Sequence, residues 1–186
     1  MFYRTVAVLL VSLFCTEAKA VLKTCGFPNN TDVQTHTYSC NTNSPIQVLK
    51  TNILDKSGKP VYPIDPKIPI LLDLAAHNNG KVYTDDKANV SLYSYQSNWL
   101  TGDCAWNKIE TFGLLDNIDG CDYAHNCPLT KGPLDLKILL DLTKWAPLIE
   151  MLVGNYAYQI RIEMFDYSQG SQHDQIACVV TQLRFV

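Results

Sequence analysis

The sequence lacks any run of basic residues. Its 15 Lys and Arg are dispersed among 18 Asp and Glu, and the net charge at pH 7 is −3. The absence of a basic patch argues against nucleic-acid binding and against strong attraction to anionic membranes. After its N-terminal leader the sequence also lacks a second apolar run of about 20 residues, the length that a helix needs to cross a bilayer. We therefore expect the mature protein to be soluble.

Recognisable catalytic motifs are missing as well. The sequence contains no G-x-S-x-G nucleophile elbow, no H-E-x-x-H zinc motif and no glycine-rich phosphate loop. Its carboxylates are abundant, but they fall in no catalytic arrangement. The sequence therefore predicts a protein that is not an enzyme, with no catalytic residue, no metal site and no cofactor.

The N-terminus has the layout of a secretory signal peptide. Arg4 supplies a positive charge, residues 6–15 form a short apolar run, and a small-x-small cleavage site ends at Ala20. The alternative, a buried first helix, lacks the polar face that helical periodicity would supply. We predict a signal peptide over 1–20 and a single mature domain over 21–186, which is exported to the extracellular space or to the lysosome.

Removal of the signal leaves six cysteines, and an even number in a secreted chain predicts disulfides. Two of them, Cys121 and Cys127, flank His125 in the stretch GCDYAHNCPLTKG. They could ligate a metal, form a redox pair or close a loop. A zinc site would need a second close pair, and a redox site would need C-x-x-C spacing. The stretch therefore predicts a loop closed by a disulfide, with His125 a surface residue inside the loop.

Two N-x-[ST] sequons, at Asn29 and Asn89, predict exposed and N-glycosylated positions. A glycan on Asn89 would have to point outward. In the stretch ANVSLYSYQ, this places Val90 and Leu92 on the inward face of a strand.

Hydrophobic residues recur with a period of two along most of the chain. Polar turn signals separate about seven or eight such runs, and none of them is a convincing helix. This pattern predicts an all-β fold, an antiparallel β-sandwich of two sheets, with Asp73, Lys137 and Arg161 facing water. The inward side chains, which could form an ordinary core or line a lipid cavity, are Ile70, Leu72, Leu74, Val90, Leu92, Leu136, Ile138, Leu140, Tyr158, Ile160, Ile162 and Met164.

One connection, TKWAPLIEMLVG at residues 143–154, is too apolar for an ordinary turn. One interpretation is a short helix packed on the sandwich. The other is a hydrophobic lid, or membrane-touching loop, that uses Trp145, Leu148, Ile149, Met151 and Leu152.

Four features together resemble the ML lipid-recognition family: Cys25 near the mature N-terminus and the stretches DGCDYAHNCPLTKG, GNYAYQIRIEMFD and QIACVVTQLRF. The resemblance covers nearly the whole mature chain and is specific only from about residue 100 onward. Family members include a cholesterol carrier and a ganglioside activator. The resemblance implies an immunoglobulin-like sandwich with an apolar cavity that holds a lipid between the two sheets.

The resemblance also implies disulfide partners. It pairs Cys121 with Cys127 and Cys25 with Cys178, which leaves Cys40 for Cys104. This third pair departs from the family pattern, because one relative pairs its second cysteine with a position occupied here by Pro45.

We accordingly expect a secreted protein that binds a lipid (a sterol, glycolipid or phospholipid), presents or transfers it, and contacts membranes transiently. One alternative is an activator that delivers lipid to a lysosomal hydrolase. Another is an immune or signalling ectodomain partner with a filled core. A cavity large enough for an acyl chain distinguishes lipid binding from the filled core.

Overall fold

The computed structural model describes residues 24–98, 100–124, 127–141, 143 and 154–186, apart from the side chain of Leu140. The predicted signal peptide lies outside these residues. None of the helices in the described part has the length and apolarity required to cross a membrane. The elements, which are almost all strands, are β1 (His36–Ser39), β2 (Ile46–Leu54), β3 (Ile70–Asn78), β4 (Asp86–Ser97), β5 (Cys104–Ile109), β6 (Ile118–Asp119), α1 (Gly120–Ala124), β7 (Gly132–Leu140), β8 (Ala157–Asp166) and β9 (Gln175–Arg184).

The strands form two antiparallel sheets, which confirms the predicted all-β sandwich. The larger sheet has the order β1-β9-β8-β4-β5. The short strand β6 pairs with the start of β4, at Lys87 and Ala88, whereas β5 pairs with its end. The smaller sheet has the order β2-β3-β7. Each buried cluster of the core contains side chains from both sheets, so the sheets pack face to face.

The strand register decides which side chains point between the sheets. In the smaller sheet Leu72 lies opposite Ile138, and in the larger sheet Val90 lies opposite Ile162. Directly opposed residues of antiparallel strands share a face, and neighbours along a strand point to opposite faces. Arg161 therefore lies on the outer face of the larger sheet, where its guanidinium is part of an ion pair.

The buried core is divided into two clusters that lie towards opposite ends of the strands. Along β2, Ile53 belongs to one cluster and Ile46 to the other. Along β3, Ile70 and Ala76 are divided in the same way. The space between the sheets is thus packed with buried side chains at both ends.

All six cysteines among the described residues form disulfides, and one of the three implied pairs is present. The pairs in the structure are Cys121–Cys127, as the resemblance implied, Cys25–Cys104 and Cys40–Cys178. The implied pairs Cys25–Cys178 and Cys40–Cys104 are therefore wrong.

The pairing of β1 with β9 explains this correction. It brings Cys40, the residue that follows β1, alongside β9, where its backbone N–H donates to the carbonyl of Cys178 at 2.9 Å. With Cys178 bonded to Cys40, Cys25 is available to the other remaining cysteine, Cys104, at the start of β5.

Candidate functional site

A cavity of about 230 Å³ lies between the two sheets. Its walls are mainly aliphatic side chains, such as Leu74 and Leu136 from the smaller sheet and Val90 and Ile162 from the larger one. An engineered protein cavity of about 150 Å³ is enough to hold a benzene molecule. The space in this protein is therefore large enough to admit a small apolar group or part of an alkyl chain.

The structure brings most of the predicted inward residues together around this cavity. Tyr158 is an exception: it is 2 % exposed and packs edge-on against Phe185, a wall residue, with ring centroids 5.2 Å apart. It is therefore a core residue behind the wall. Leu140 ends β7, and its side chain lies outside the described part of the structure. The predicted residues in the wall are Ile70, Leu72, Leu74, Val90, Leu92, Leu136, Ile138, Ile160, Ile162 and Met164.

Sequence reasoning missed the contribution of β9 to the wall. Ala177, Val179 and Leu183 line the cavity, yet the intervening Cys178 and Val180 are also buried. Because both faces of this strand are covered, its apolar residues do not alternate with polar ones. The period-two signal that identified the other strands is therefore absent from β9.

Polar groups are scarce in the cavity wall. Among the described wall residues, polar side-chain atoms belong to Thr51, Asp86, Tyr123 and Thr181. Asp86 is the only member of this set with a carboxyl group. It was not predicted as a site residue, because nothing in the sequence distinguishes it from other carboxylates at the start of a strand.

Asp86 begins β4 and shares its inward face with Ala88 and Val90. Its residue is 0 % exposed, and its Oδ2 atom has no hydrogen-bond partner. Its Oδ1 atom lies 3.5 Å from Sγ of Cys121 and 3.8 Å from Sγ of Cys127. These sulfur atoms are joined in a disulfide and carry no hydrogen to donate. Within the described residues, neither carboxylate oxygen of Asp86 therefore accepts a hydrogen bond from an N–H or O–H group.

The electrostatic surroundings also disfavour ionisation of this group. Burial in the apolar cavity, and then the nearby charges of Asp119 and Asp85, raise the pKa of Asp86 to about 6. Carboxylate oxygens of Asp85 and Asp119 lie within 4.8 Å of each other. The ion pairs found among the described residues involve none of these three acids. Among the described residues, no cationic side chain therefore forms an ion pair with these acids at this end of the cavity.

Gly120 is required where α1 approaches this carboxyl group. A Cβ atom placed on Gly120 would overlap both carboxylate oxygens of Asp86. Any larger residue would have to move either the backbone of α1 or the side chain of Asp86. The glycine thus permits a close approach of backbone to carboxylate.

The Cys121–Cys127 disulfide lies beside the cavity rim. Three residues of α1 line the cavity: Gly120, Tyr123 and Ala124. Tyr123 is also 40 % exposed to solvent. Leu129 follows the disulfide loop and also lines the cavity. It forms an isolated β-bridge with Tyr83, in which each backbone N–H donates to the other residue's carbonyl, at 2.8 and 3.1 Å. The disulfide and this bridge therefore fix two parts of the chain that lie next to the cavity wall.

The described residues of the same region form no complete metal site. Asp86, Cys121 and Cys127 lie close together, as do Asp85, Asp119 and Cys121. The sulfur atoms are bonded to one another and cannot act as thiolate ligands. The described carboxylates fall short of the roughly six to eight oxygen ligands that calcium takes.

The predicted lid and the residue inside the disulfide loop cannot be compared with the structure. Trp145, Leu148, Ile149, Met151 and Leu152 lie outside the described residues, and so does His125. The assignment of these residues to a lid and to a surface loop therefore stays a prediction.

Both predicted glycosylation sites lie among the described residues, Asn29 exposed and Asn89 half-buried. Asn29 is exposed, and its Nδ2 donates to Oε1 of Gln182 at 2.6 Å. Asn89 alternates with the wall residues of β4 and so faces outward, where its Oδ1 accepts from the backbone N–H of Asn117 at 2.8 Å. Glycosylation itself stays a prediction.

Compared with known proteins, the chain matches no family model, and no curated protein matches it. The argument for function therefore depends on the geometry of the cavity and its rim.

Proposed function

We propose that this protein is an ML-like lipid-binding protein, exported to an oxidising compartment, which holds a lipid between its two β-sheets and transfers or presents it. The observation that carries the proposal is the cavity of about 230 Å³ with its largely aliphatic wall. Three disulfides suit an oxidising compartment, either extracellular or lysosomal.

The energetics of an empty cavity support a ligand. An unfilled void reduces stability by about 24 cal/mol per Å³, which corresponds to about 5.5 kcal/mol for 230 Å³. A bound alkyl chain offsets this, because each buried methylene contributes about 0.8 kcal/mol. A sandwich whose task is only to present its outer surface gains nothing from such a void. The alternative of a filled-core ectodomain partner would have side chains where this protein has a cavity.

The volume also bears on the kind of lipid. A space of about 230 Å³ suits one alkyl chain better than several chains side by side. The rest of a glycolipid or phospholipid would then lie at the rim, beside α1 and the Cys121–Cys127 disulfide. A sterol, whose rigid ring system is bulkier than one alkyl chain, fits this volume less well.

Binding and transfer are tested with delipidated protein and vesicles that contain a fluorescent acyl lipid. We expect the protein to remove lipid from the vesicles and pass it to acceptor vesicles. A Val90→Phe variant, which extends a side chain into the cavity, should lose most of this activity. Because the ring fills existing void rather than a packed core, the variant should avoid most of the overpacking cost of about 1–3 kcal/mol. The matched control is Ser91→Phe, which adds the same ring to the outer face of β4.

The two outcomes are distinct. Loss of transfer in Val90→Phe, together with normal transfer in Ser91→Phe, supports binding between the sheets. Equal transfer by both variants, or no lipid uptake by the wild-type protein, would reject the proposed function.

A further inference from the structure

We propose that Asp86 is a polar anchor within the cavity and that it binds the protonated amine of a single-chain cationic amphiphile. This inference rests on the proposed function, since it concerns the ligand of the same cavity. It names a chemical class that the apolar wall alone does not specify.

The geometry that points to this role is the unpaired state of the carboxyl group. Asp86 is fully buried, it lines the cavity, and neither of its oxygens accepts a hydrogen bond within the described residues. Buried polar groups are ordinarily hydrogen-bonded, and an unpaired one calls for an explanation. A ligand that enters the cavity with a hydrogen-bond donor at one end would supply the missing partner.

The charges around Asp86 distinguish between possible donors. The acidic groups Asp85 and Asp119 lie near it, and Tyr123 on α1 adds no positive charge. Asp166, opposite on β8, is already paired with Lys81. A carboxylate head group would be repelled here, and a neutral hydroxyl would form a hydrogen bond without balancing the charge. An ammonium group does both, because charge-assisted hydrogen bonds are about twice as strong as neutral ones.

The shape of the site suits a chain with a small terminal head group. Gly120 and the Cys121–Cys127 disulfide press against the carboxyl group, and Asp86 also lines the cavity. Because the residue is 0 % exposed, a ligand that approaches from the cavity has to displace neighbouring wall side chains to reach the carboxyl oxygens. The rest of the wall is almost entirely apolar and suits an alkyl chain. A primary amine at the end of such a chain would place its N–H groups at the Asp86 oxygens.

The test compares dodecylamine, dodecanol and dodecanoate as competitors of the neutral dye Nile red, bound to delipidated protein. We expect wild-type protein at about pH 7.5 to bind the amine at least about tenfold more tightly than the alcohol, and the fatty acid least tightly. In Asp86→Asn the preference for amine over alcohol should fall to less than about threefold. Asp119→Asn, which removes a nearby charge but no wall residue, should retain most of it.

A pH series on the wild-type protein gives a second readout that needs no variant. Because the pKa of the free Asp86 carboxyl is about 6, its protonation should weaken amine binding about tenfold between about pH 7.5 and pH 5, while alcohol binding stays constant. The same series on His125→Gln separates this titration from that of the histidine in the disulfide loop.

The outcomes separate the two proposals. If no competitor and no dye binds, both proposals fail together. If all three competitors bind equally at both pH values, and Asp86→Asn changes nothing, the protein binds lipid chains but Asp86 is not an anchor for amines. A selective loss of amine binding in Asp86→Asn and at low pH supports the anchor.

Discussion

Asp86 and Asp166 lie directly opposite each other on β4 and β8, and both are buried, yet among the described residues only Asp166 has a cationic partner. Lys81 donates to Oδ2 of Asp166 at 2.7 Å, and the backbone N–H of Ser168 donates to Oδ1 at 2.9 Å. Asp86 has neither kind of donor among the described residues. Two carboxylates in one cross-strand pair therefore have opposite electrostatic environments.

This contrast predicts opposite dependences of stability on pH. Burial alone would raise the pKa of Asp166, but its hydrogen bonds from Lys81 and Ser168 lower it below the ordinary value. The stability that Asp166 contributes is therefore lost as the pH falls through its pKa. The pKa of Asp86 is raised to about 6, so the favourable contribution of its protonated form is lost as the pH rises through about 6.

We expect Asp86→Asn to stabilise the protein near neutral pH. The shift from 3.8 to about 6 corresponds to about 3 kcal/mol in the free energy of unfolding. The variant should match the wild-type protein below about pH 4 and exceed it by up to this amount above about pH 6. Urea unfolding of the lipid-free protein across this range measures the difference. Asp166→Asn is the matched comparison and should be less stable than the wild-type protein at neutral pH; a destabilised Asp86→Asn would contradict the unpaired state of Asp86.

Gly120→Ala should be destabilising because its Cβ would overlap the Asp86 carboxyl group. We expect a loss of about 1–3 kcal/mol in the free energy of unfolding, the range typical of overpacking. In an Asp86→Ala background the same change should have much less effect, since the overlapping atoms are gone. A double-mutant cycle measures this coupling, and additive effects of the two changes would refute the close contact.

The three disulfides should differ in their contributions to stability. Cys40–Cys178 spans 138 residues and Cys121–Cys127 spans six. Chain entropy predicts a loss of about 5 kcal/mol for removal of the first pair and about 2 kcal/mol for the second. Unfolding of the paired Cys→Ser variants measures the order. Non-reducing peptide mapping is the control for connectivity, and recovery of a Cys25–Cys178 peptide would contradict the structure.

The predicted lid has a separate test. If residues 143–153 gate the cavity, Leu148→Ser combined with Ile149→Ser should slow lipid exchange with vesicles and have little effect on stability. If the segment is a structural cap, the same double change removes buried side chains and should reduce stability by about 2–5 kcal/mol. Thermal melts and transfer assays on one protein distinguish the two, because a large fall in melting temperature with normal transfer per folded molecule would reject the lid.

The alternation of apolar and polar residues made most of the fold predictable. In β3, β4, β7 and β8 one face packs towards the core and the other faces solvent. The two-residue period of their apolar side chains therefore identifies both the strand and its inward side chains. The short strands β1, β5 and β6 have too few residues for a period to emerge. The pairing of Cys40 with Cys178 depends on β1 lying beside β9, a non-local contact that cysteine spacing does not reveal.

The candidate site was only half predictable for a related reason. The aliphatic wall follows from strand periodicity, but the place of Asp86 in that wall depends on register and burial together. At the first position of β4 a carboxylate has the appearance of an ordinary turn residue. Its significance arises from Gly120 and the disulfide, which come close to it only in the folded protein.

The most direct test of lipid binding is native mass spectrometry of the protein secreted by animal cells, followed by lipid extraction from the same sample. The wild-type protein should carry the mass of one lipid per chain beyond its glycans and three disulfides. Val90→Phe, purified in parallel, should carry little or none, while Ser91→Phe should match the wild-type protein. A wild-type protein that appears only at the mass of the bare chain and its glycans, and that gains no mass after incubation with lipid vesicles, would contradict lipid binding between the sheets.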